Sequence, residues 1–252
     1  MLKPERHARI LEHVSERGSA DVNELSRLLQ VSGATVRRDL QYLDELNLLR
    51  RTHGGAAVGS FSLEVPVQHR AERRKPEKRA IARAAADLVP DGAVVGMTGG
   101  TTCTEIARVL AERGPITIVT NAVNIAAELV MHRDVTLVVV GGNARPESYE
   151  LVGPIAEKTL ADYHTDMTFL GVDGISASHG CTTHDQLEAA TDRAFAASSS
   201  STVVVADHSK IGRVTFARIC PLTGVRDLVT DGASPEPELA AISAAGVRVT
   251  AV

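Results

Sequence analysis

The sequence predicts an α/β chain in two parts, a small helical N-terminal module and a larger domain built on a mainly parallel sheet. Apolar residues recur at helical spacing as far as Leu43, and two glycines then indicate a hairpin. Beyond residue 76, short apolar runs alternate with helical segments, as in parallel α/β sheets. Hydrophobic residues make up 44% of the chain and aromatics only 3%, so the core must be mostly aliphatic.

The first 30 residues predict two short helices. Apolar side chains between Ile10 and Val14 mark the first helix, which ends near Gly18. Asp21 and Glu24 form an Asp-x-x-Glu arrangement whose oxygens can cap the next helix. Two helices this close together, followed by a short turn, are typical of a helix-turn-helix.

The third helix is amphipathic and basic. Val36, Leu40 and Leu43 form one apolar stripe, and Ser32 is a natural N-cap. A face of small, cationic and amide side chains suits the major groove of DNA, because guanidinium and amide groups pair with base edges. The residues placed on that face and its flanks are Ala34, Thr35, Arg37, Arg38 and Gln41.

The segment after the third helix predicts a wing. Residues 48–53 suit a short strand, and Gly54–Gly55 suits a tight hairpin. Arg51 and His53 alternate onto one face, where they can contact the DNA backbone or minor groove. The alternative is a three-helix packing unit with solvated arginines. The coincidence of cap, turn, basic helix and wing favours DNA binding.

The net charge of −4 is unevenly distributed. Residues 1–55 contain nine basic and eight acidic residues and so carry +1, which leaves −5 for the remainder. A nearly neutral module binds DNA weakly through phosphate neutralisation alone. We therefore expect paired half-sites, bound by a homodimer or homotetramer.

Residues 59–75 are predicted to be a linker between a DNA-binding domain, residues 1–58, and a second domain, residues 76–252. The linker ends in a basic cluster, which is interpreted as solvated or as a second DNA contact: Arg70, Arg73, Arg74 and Lys75. Pro76 suits the first turn of the following helix.

Other patterns limit the class of protein. No run of about 18 apolar residues predicts a membrane span, and the charged N-terminus is unlike a signal peptide. Cys103, Cys181 and Cys220 lack CxxC spacing, which indicates reduced thiols in a cytoplasmic protein. We expect no cofactor.

The second domain is predicted to alternate strands and helices in a Rossmann-like order. The predicted strands are residues 93–97, 116–120, 135–140, 167–172, 202–206, 225–230 and 247–249. The predicted helices are one that starts at Pro76, residues 102–112, 123–131, 155–161 and 187–197, and one that starts at Glu236.

Polar or glycine residues follow five of these strands. Ligands bind at the carboxyl ends of such strands, where glycines let the backbone approach an anion. The alternative is ordinary loop and helix-cap chemistry. The candidate ligand contacts are Gly99, Gly100, Thr101, Thr102, Thr120, Asn121, Gly141, Gly142, Asp173, Asp207 and Lys210.

The motif Val-Ser-x-x-Thr-Val-Arg-Arg-Asp-Leu, followed by Leu-Leu-Arg-Arg-x-His-Gly-Gly-Ala, resembles the DeoR family of bacterial sugar-metabolism regulators. The resemblance implies a winged helix-turn-helix that binds operator DNA. It assigns contacts to Ser32, Thr35, Arg37, Arg38, Arg51 and His53. Gln41 is added from the helical wheel alone.

The motifs GTT, TN, GG-x-x-R, LG-x-DG and D-x-SK follow in the order of the DeoR-family sensor domain, which is similar to ribose-5-phosphate isomerase. The resemblance implies a repressor that is released from DNA by a phosphorylated sugar or related metabolite. It assigns ligand contacts to Gly100, Thr101, Thr102, Thr120, Asn121, Arg145, Asp173, Asp207 and Lys210. Two residues depart from the family pattern: Thr98 replaces a common Asp, and Asp192 replaces a common Lys.

Two other functions are open from the sequence. A phosphosugar isomerase would use Asp173 as its base, but the loop at residues 177–180 lacks the lysine needed to stabilise an oxyanion. A metal sensor would use Cys181, His184 and Asp185, with His179 nearby, which is a thin ligand set for zinc. We expect a regulator rather than an enzyme.

Overall fold

The structure, a computed structural model, describes residues 2–45, 48–57 and 66–252. The chain divides into two compact units, Met1–Arg73 and Arg74–Val252. The predicted linker residues 59–65 lie outside the described part. Of the remaining predicted linker, Val67–Arg70 form a short helix and Lys75 begins another.

The first unit has the elements of a winged helix-turn-helix. Its helices are α1 (Lys3–Arg17), α2 (Val22–Leu29), α3 (Gly33–Glu45) and α4 (Val67–Arg70). Its strands are β1 (Ser19–Asp21), β2 (Arg50–Thr52) and β3 (Gly55–Ala57), which form an antiparallel sheet in the order β1-β3-β2.

Local signals in the sequence explain the boundaries of these helices. Gly18 ends α1 in the left-handed conformation, with φ of 78°. Asp21 caps α2 by accepting hydrogen bonds from the backbone of Asn23 at 2.7 Å and of Glu24 at 2.8 Å. The core between α1, α2 and α3 includes Ile10, Leu25 and Leu40.

The predicted wing forms, but its turn differs from the prediction. His53 and Gly54 make the turn, so His53 does not share a strand face with Arg51, and Gly55 belongs to β3. Strand β1 was not predicted, and it is the reason for the difference. A Cβ on Gly55 would lie 2.7 Å from the Cα of Asp21, so only glycine lets β3 pair this closely with β1.

The second unit alternates helices and strands. Its helices are α5 (Lys75–Ala86), α6 (Thr101–Ala111), α7 (Val123–Leu129), α8 (Pro154–Leu160), α9 (Gln186–Ala197) and α10 (Glu236–Ala244). Its strands are β4 (Val94–Met97), β5 (Ile116–Thr120), β6 (Val135–Val139), β7 (Asn143–Arg145), β8 (Glu150–Val152), β9 (Met167–Gly171), β10 (Gly174–Ser176), β11 (Gly180–Thr183), β12 (Thr202–Val205), β13 (Ala217–Cys220), β14 (Asp227–Thr230) and β15 (Arg248–Ala251).

Seven strands form a parallel sheet in the order β15-β14-β12-β9-β4-β5-β6, which confirms the predicted fold class. The chain runs from β4 outward to β6 and returns at β9 to build the other half. The direction of winding therefore reverses between β4 and β9. In sheets of this kind, the loops at the carboxyl ends of the two strands at the reversal open a crevice for ligands.

Two features of the second unit differ from the predictions. A continuous apolar run such as residues 135–140 is typical of a strand buried on both faces, but β6 is an edge strand and Val139 is 46% exposed. The hairpin β7–β8 and the small antiparallel sheet β10-β11-β13 were not predicted. Their three- and four-residue strands are too short to give a clear periodic pattern.

The three cysteines are buried free thiols. Among the described residues, no helix combines the length and the apolar character needed to cross a membrane.

Candidate nucleic-acid interface and ligand site

Helix α3 separates its apolar stripe from its candidate DNA-binding face. Val36, Leu40 and Leu43 are at most 1% exposed. On the other face Ser32, Arg37, Arg38 and Gln41 are exposed, and Thr35 is half-buried. Ser32 Oγ accepts the backbone N–H of Thr35 at 3.2 Å, so the predicted cap forms.

The other predicted DNA contacts are also accessible. Arg51 in β2 and His53 in the turn are both exposed. The backbone N–H of Arg51 donates to Asp44 Oδ1 at 3.0 Å, which ties β2 to α3. The amide of Gln41 donates to Glu45 Oε1 at 3.0 Å, so Glu45 engages one of its two N–H hydrogens.

Asp39 holds α3 against α1, a role that was not predicted from the sequence. Its carboxylate accepts hydrogen bonds from Arg6 at 2.5 and 2.9 Å and contacts His7 Nε2 at 2.9 Å. Burial opposes ionisation, but the bonds from Arg6 and His7 outweigh it and lower the pKa of Asp39. Its position three residues after Val36, on the buried stripe, was the available signal.

The candidate ligand site lies where β4 and β9 end. Gly100 is the N-cap of α6 with φ of 102°, and no described side chain caps that helix. A Cβ added to Gly100 would meet no described atom within 4 Å. The first-turn N–H groups, near Thr101 and Thr102, therefore have no side-chain cap and suit an anion that approaches past Gly100.

Gly99 was predicted to contact the ligand, but its partner in the structure is Glu150. Its N–H donates to Glu150 Oε1 at 2.6 Å, and a Cβ at this position would collide with the Glu150 side chain. Burial raises the pKa of Glu150, against the opposing effect of the Gly99 hydrogen bond and Arg145. Glu150 was missed from the sequence because it reaches the site through the unpredicted β7–β8 hairpin.

A chain of polar contacts joins several predicted ligand residues. Lys210 Nζ lies 2.9 Å from Asp173 Oδ1, and Arg145 donates to Glu188 Oε2 at 3.1 Å. The hydroxyl of Thr183 contacts both carboxyl groups, Asp173 at 3.1 Å and Glu188. The structure thus brings Arg145, Asp173 and Lys210 into one network, and it adds Thr183 and Glu188, which were not predicted.

Two other predicted contacts have hydrogen-bond partners within the protein, and a third, Gly142, packs against β8. The Oγ1 of Thr120 accepts the N–H of Ala122 at 3.1 Å, and the buried Asn121 donates to the carbonyl of Leu151 at 3.2 Å. A Cβ on Gly142 would lie 2.9 Å from the β8 backbone, while Gly141 is half-buried beside it. Asn121 and Gly142 thus hold the β7–β8 hairpin against the ends of β5 and β6.

Asp207 is the cap of a short 3-10 turn, His208–Lys210. Its Oδ1 accepts the N–H of Ser209 at 3.0 Å and lies 4.0 Å from Arg74 Nε. Burial opposes ionisation, but the Ser209 hydrogen bond and the charge of Lys210 lower the pKa of Asp207. Asp207 therefore remains charged beside Lys210.

The two departures from the family pattern lie close to the site. Thr98 Oγ1 accepts the N–H of Gly171 at 3.0 Å, which joins the ends of β4 and β9. Asp192, in α9, is 2% exposed. Burial and the nearby carboxyl groups of Glu150, Glu188 and Asp173 raise its pKa well above the usual range.

The metal interpretation finds no support in the geometry. Within residues 2–45, 48–57 and 66–252, no cluster of three or more His, Cys, Asp or Glu side chains has the arrangement to hold a metal ion. Cys181 instead faces Cys220 across paired strands.

Comparisons with known proteins cover both units. Residues 6–60 match the family described as DeoR-like helix-turn-helix domain, and residues 73–232 match the DeoR C terminal sensor domain. Among solved structures, ribose 5-phosphate isomerase A of Methanocaldococcus jannaschii gives a TM-score of 0.38 at 20% identity and covers 54% of either chain.

Three curated relatives are similar over most of their length. The glycerol-3-phosphate regulon repressor of Escherichia coli (strain K12) is 33% identical, with 93% of each chain covered. The HTH-type transcriptional regulator GlpR of Haloferax volcanii is 36% identical, covering 99% of this chain and 98% of the relative. The HTH-type transcriptional repressor CsqR of Escherichia coli (strain K12) is 34% identical, covering 91% and 88%.

These relatives regulate transcription, so the prediction of a regulator is confirmed and the isomerase alternative is set aside. Both matched domains occur here in one chain, in the order predicted from the sequence. The chain belongs to the DeoR family of DNA-binding transcriptional repressors.

Proposed function

We propose that this repressor binds a phosphorylated sugar or related metabolite at the carboxyl ends of β4 and β9, and that the ligand releases it from operator DNA. The observation that carries the proposal is the open, uncapped N-terminus of α6 at the reversal point of the parallel sheet. The ligand can change DNA affinity only by binding one state of the repressor more tightly than another.

We assign the phosphate to the first turn of α6. The phosphate would accept hydrogen bonds from the backbone N–H groups and hydroxyls of Gly100, Thr101 and Thr102. Lys210 would supply the positive charge, exchanging part of its contact with Asp173 for a contact with the phosphate. Asp173 is then available to accept a sugar hydroxyl. Arg145 and Asp207 border this region through their contacts with Glu188 and Ser209.

Five other predicted contacts are assigned to holding the loops around the site and not to touching the ligand: Gly99, Thr120, Asn121, Gly141 and Gly142. Gly99, Thr120, Asn121 and Gly142 are held in backbone or side-chain contacts around the site, and Gly141 lies directly before Gly142 in the same loop. We expect changes at these positions to weaken ligand binding by moving the loops, not by removing a direct contact.

In this proposal α3 reads the operator, and the wing contacts the DNA beside α3. Arg37, Arg38 and Gln41 lie on the exposed face of α3 and are assigned to base edges or phosphates of the major groove. Ser32 and Thr35 at the start of the helix are assigned to the phosphate backbone. Arg51 and His53 are assigned to the backbone or the minor groove.

A phosphorylated effector has further support from one relative, whose name refers to the glycerol-3-phosphate regulon. The nearly neutral charge of residues 1–55 supports binding as a homodimer or homotetramer, since one module has little attraction for phosphate by itself.

The test is a thermal-shift screen of the full chain against phosphorylated sugars, with the same sugars unphosphorylated as controls. A ligand at 100 times its Kd adds about 2.7 kcal/mol to the stability of the folded state. The ligand that shifts the melting temperature should also release bound operator in a mobility-shift assay. A screen in which no phosphorylated sugar stabilises the protein would refute the proposed effector class.

A further inference from the structure

Four carboxyl groups converge on the candidate ligand site, and we call them the carboxyl cluster: Glu150, Asp173, Glu188 and Asp192. Each residue is at most 7% exposed. Two basic side chains also reach this region, and each is paired with one member, Lys210 with Asp173 and Arg145 with Glu188. Among the described residues, the other two members, Glu150 and Asp192, form no ion pair with a basic side chain.

The other two members differ in their partners. Glu150 accepts the N–H of Gly99. Asp192 Oδ1 is buried and has no hydrogen-bond partner among the described residues. A buried polar atom without a partner destabilises the protein, so its presence beside a ligand site indicates a group that the ligand supplies.

The surroundings of Asp192 show which kind of group is missing. It is faced from its own helix by Glu188 and from the neighbouring elements by carboxyl and thiol groups: Cys103 of α6, Glu150 of β8, Asp173 after β9, Cys181 of β11 and Cys220 of β13. Burial and these neighbours raise the pKa of Asp192 well above its usual range, which favours the protonated, neutral carboxyl group when no cation is present. The complement of such a cluster is a positive charge with several N–H donors.

We propose that Glu150 and Asp192 form a subsite for an ammonium group of the ligand, so that the effector is a phosphorylated amino sugar. This rests on the proposed function and narrows its ligand class. A metal ion is not the complement, because no described group of ligands has metal-binding geometry. When the ammonium group binds, Asp192 ionises and its proton is released to the solvent.

Isothermal titration of the full chain tests the proposal with two matched pairs: glucosamine 6-phosphate with glucose 6-phosphate, and galactosamine 6-phosphate with galactose 6-phosphate. In at least one pair, the amino sugar should bind at least about tenfold more tightly, since its ammonium group meets a buried carboxylate. Titrations in buffers of different ionisation enthalpy should show proton release that is larger for the wild type than for Asp192→Asn.

The variant Asp192→Asn should lose most of the preference for the amino sugar. Asp162→Asn, at an exposed carboxylate, should keep it. If the neutral sugar phosphate binds as tightly as its amino partner in both pairs, the ammonium subsite is overturned and the phosphosugar effector stays intact. If no phosphorylated sugar binds, both proposals fail.

A second inference comes from an independent observation, the pairing of two cysteines. Cys181 in β11 and Cys220 in β13 are direct register partners in an antiparallel sheet, and their thiols share a hydrogen bond. Opposed Cβ atoms in such a pair are about 4.5–5.5 Å apart, close to the spacing of a disulfide. That hydrogen bond, with the charges of Arg218 and Arg193, lowers the pKa of Cys220 against the effect of burial.

We infer that a hydroperoxide oxidises this pair to a disulfide that weakens ligand binding. The Cys220 thiolate attacks one peroxide oxygen, which gives a sulfenic acid and releases water or an alcohol. The pKa of Cys181 is raised, so it attacks the sulfenic sulfur as a thiol that gives up its proton. The disulfide forms, and the departing hydroxide takes that proton and leaves as water. Thr183 follows Cys181 by two residues in β11 and contacts Asp173 and Glu188. The disulfide draws β11 toward β13, and this movement shifts Thr183 away from the ligand site.

Peptide mass spectrometry of peroxide-treated full-length protein should show Cys181 linked to Cys220, with Cys103 still a thiol, and dithiothreitol should reverse the link. The Kd for a bound phosphosugar should rise at least about threefold on oxidation, within the range of coupling between sites. Cys181→Ser and Cys220→Ser should each be insensitive to peroxide. A treated protein with three free thiols, or an oxidised protein with unchanged affinity, would refute the inference.

Discussion

The residues from Arg37 to Asp39 show how position on one helix turn decides the role of a charged side chain. Arg37 and Arg38 are exposed, while Asp39 is 3% exposed and pairs with Arg6 and His7 of α1. Asp39 therefore holds α3 against α1. The two arginines remain available for DNA because the carboxylate beside them is already neutralised by α1.

The first prediction concerns Arg38. Replacing it with alanine should abolish specific operator binding, because a bidentate contact to a base contributes about 1–3 kcal/mol and Arg38 also attracts phosphate. Binding of the effector should survive, since the residue belongs to the first unit. Arg17→Ala, at an exposed arginine of α1, is the matched control. Normal operator binding by Arg38→Ala in a mobility-shift assay would show that α3 is wrongly assigned.

A second prediction follows from the raised pKa of Asp192. Between its usual value of 3.8 and the raised value, the unfolded chain loses the proton and the folded protein keeps it. The folded state then binds more protons, so its stability falls as pH rises, by at most about 1.4 kcal/mol per pH unit for one proton.

Asp192→Asn removes this titration. Urea unfolding from pH 4 to pH 8 should show a weaker decline for the variant than for the wild type, and the variant should gain relative stability toward pH 8. Parallel curves for the two proteins would mean that Asp192 is ionised in the folded state. Asp162→Asn again serves as the control because this carboxylate is exposed.

At the scale of elements, the wing depends on one close contact between strands. Gly55 of β3 lies against Ala20 and Asp21 of β1, where a Cβ would collide with the backbone. Gly54, in the turn before it, has no described atom within 4 Å of the position a Cβ would take. The two adjacent glycines therefore have different requirements.

The third prediction uses that difference. Gly55→Ala should separate β3 from β1, displace Arg51 and lower operator affinity by about tenfold or more, a cost of about 1.4 kcal/mol. Gly54→Ala should bind operator within about threefold of the wild type, as surface changes usually do. Fluorescence anisotropy with labelled operator measures both. Equal losses in the two variants would show that the turn, and not the β1 contact, fixes the wing.

At the scale of the whole molecule, the distribution of charge favours paired binding. The first 55 residues carry +1 and the rest of the chain −5, so the net charge of this chain is repelled by DNA at long range. Specific contacts from two modules on one oligomer would offset this repulsion, because the second module binds at a high effective concentration.

The fourth prediction is that DNA selected from a random pool contains two related half-sites. Removing one half-site should weaken binding by at least about 100-fold, the lower range of the gain from bivalent binding. Sedimentation of the repressor–DNA complex should give two or more chains for each intact operator. A single chain bound with full affinity to one half-site would contradict the proposed oligomer.

The sequence by itself determined the elements whose signals are local. The cap at Asp21, the apolar stripe of α3 and the alternation of strands and helices depend on neighbours within a few residues, and each was predicted and is present. The long motifs of the two domains were sufficient to identify the family.

Only the tertiary structure decided what depends on distant pairing. The edge position of β6, the fit of Gly55 against β1 and the approach of Glu150 to Gly99 each join residues far apart in the chain. The same is true of the contacts among Lys210, Asp173 and Glu188. Short strands carry too little periodicity to reveal their partners, and whether a polar residue binds a ligand or fastens a loop depends on what the fold brings beside it.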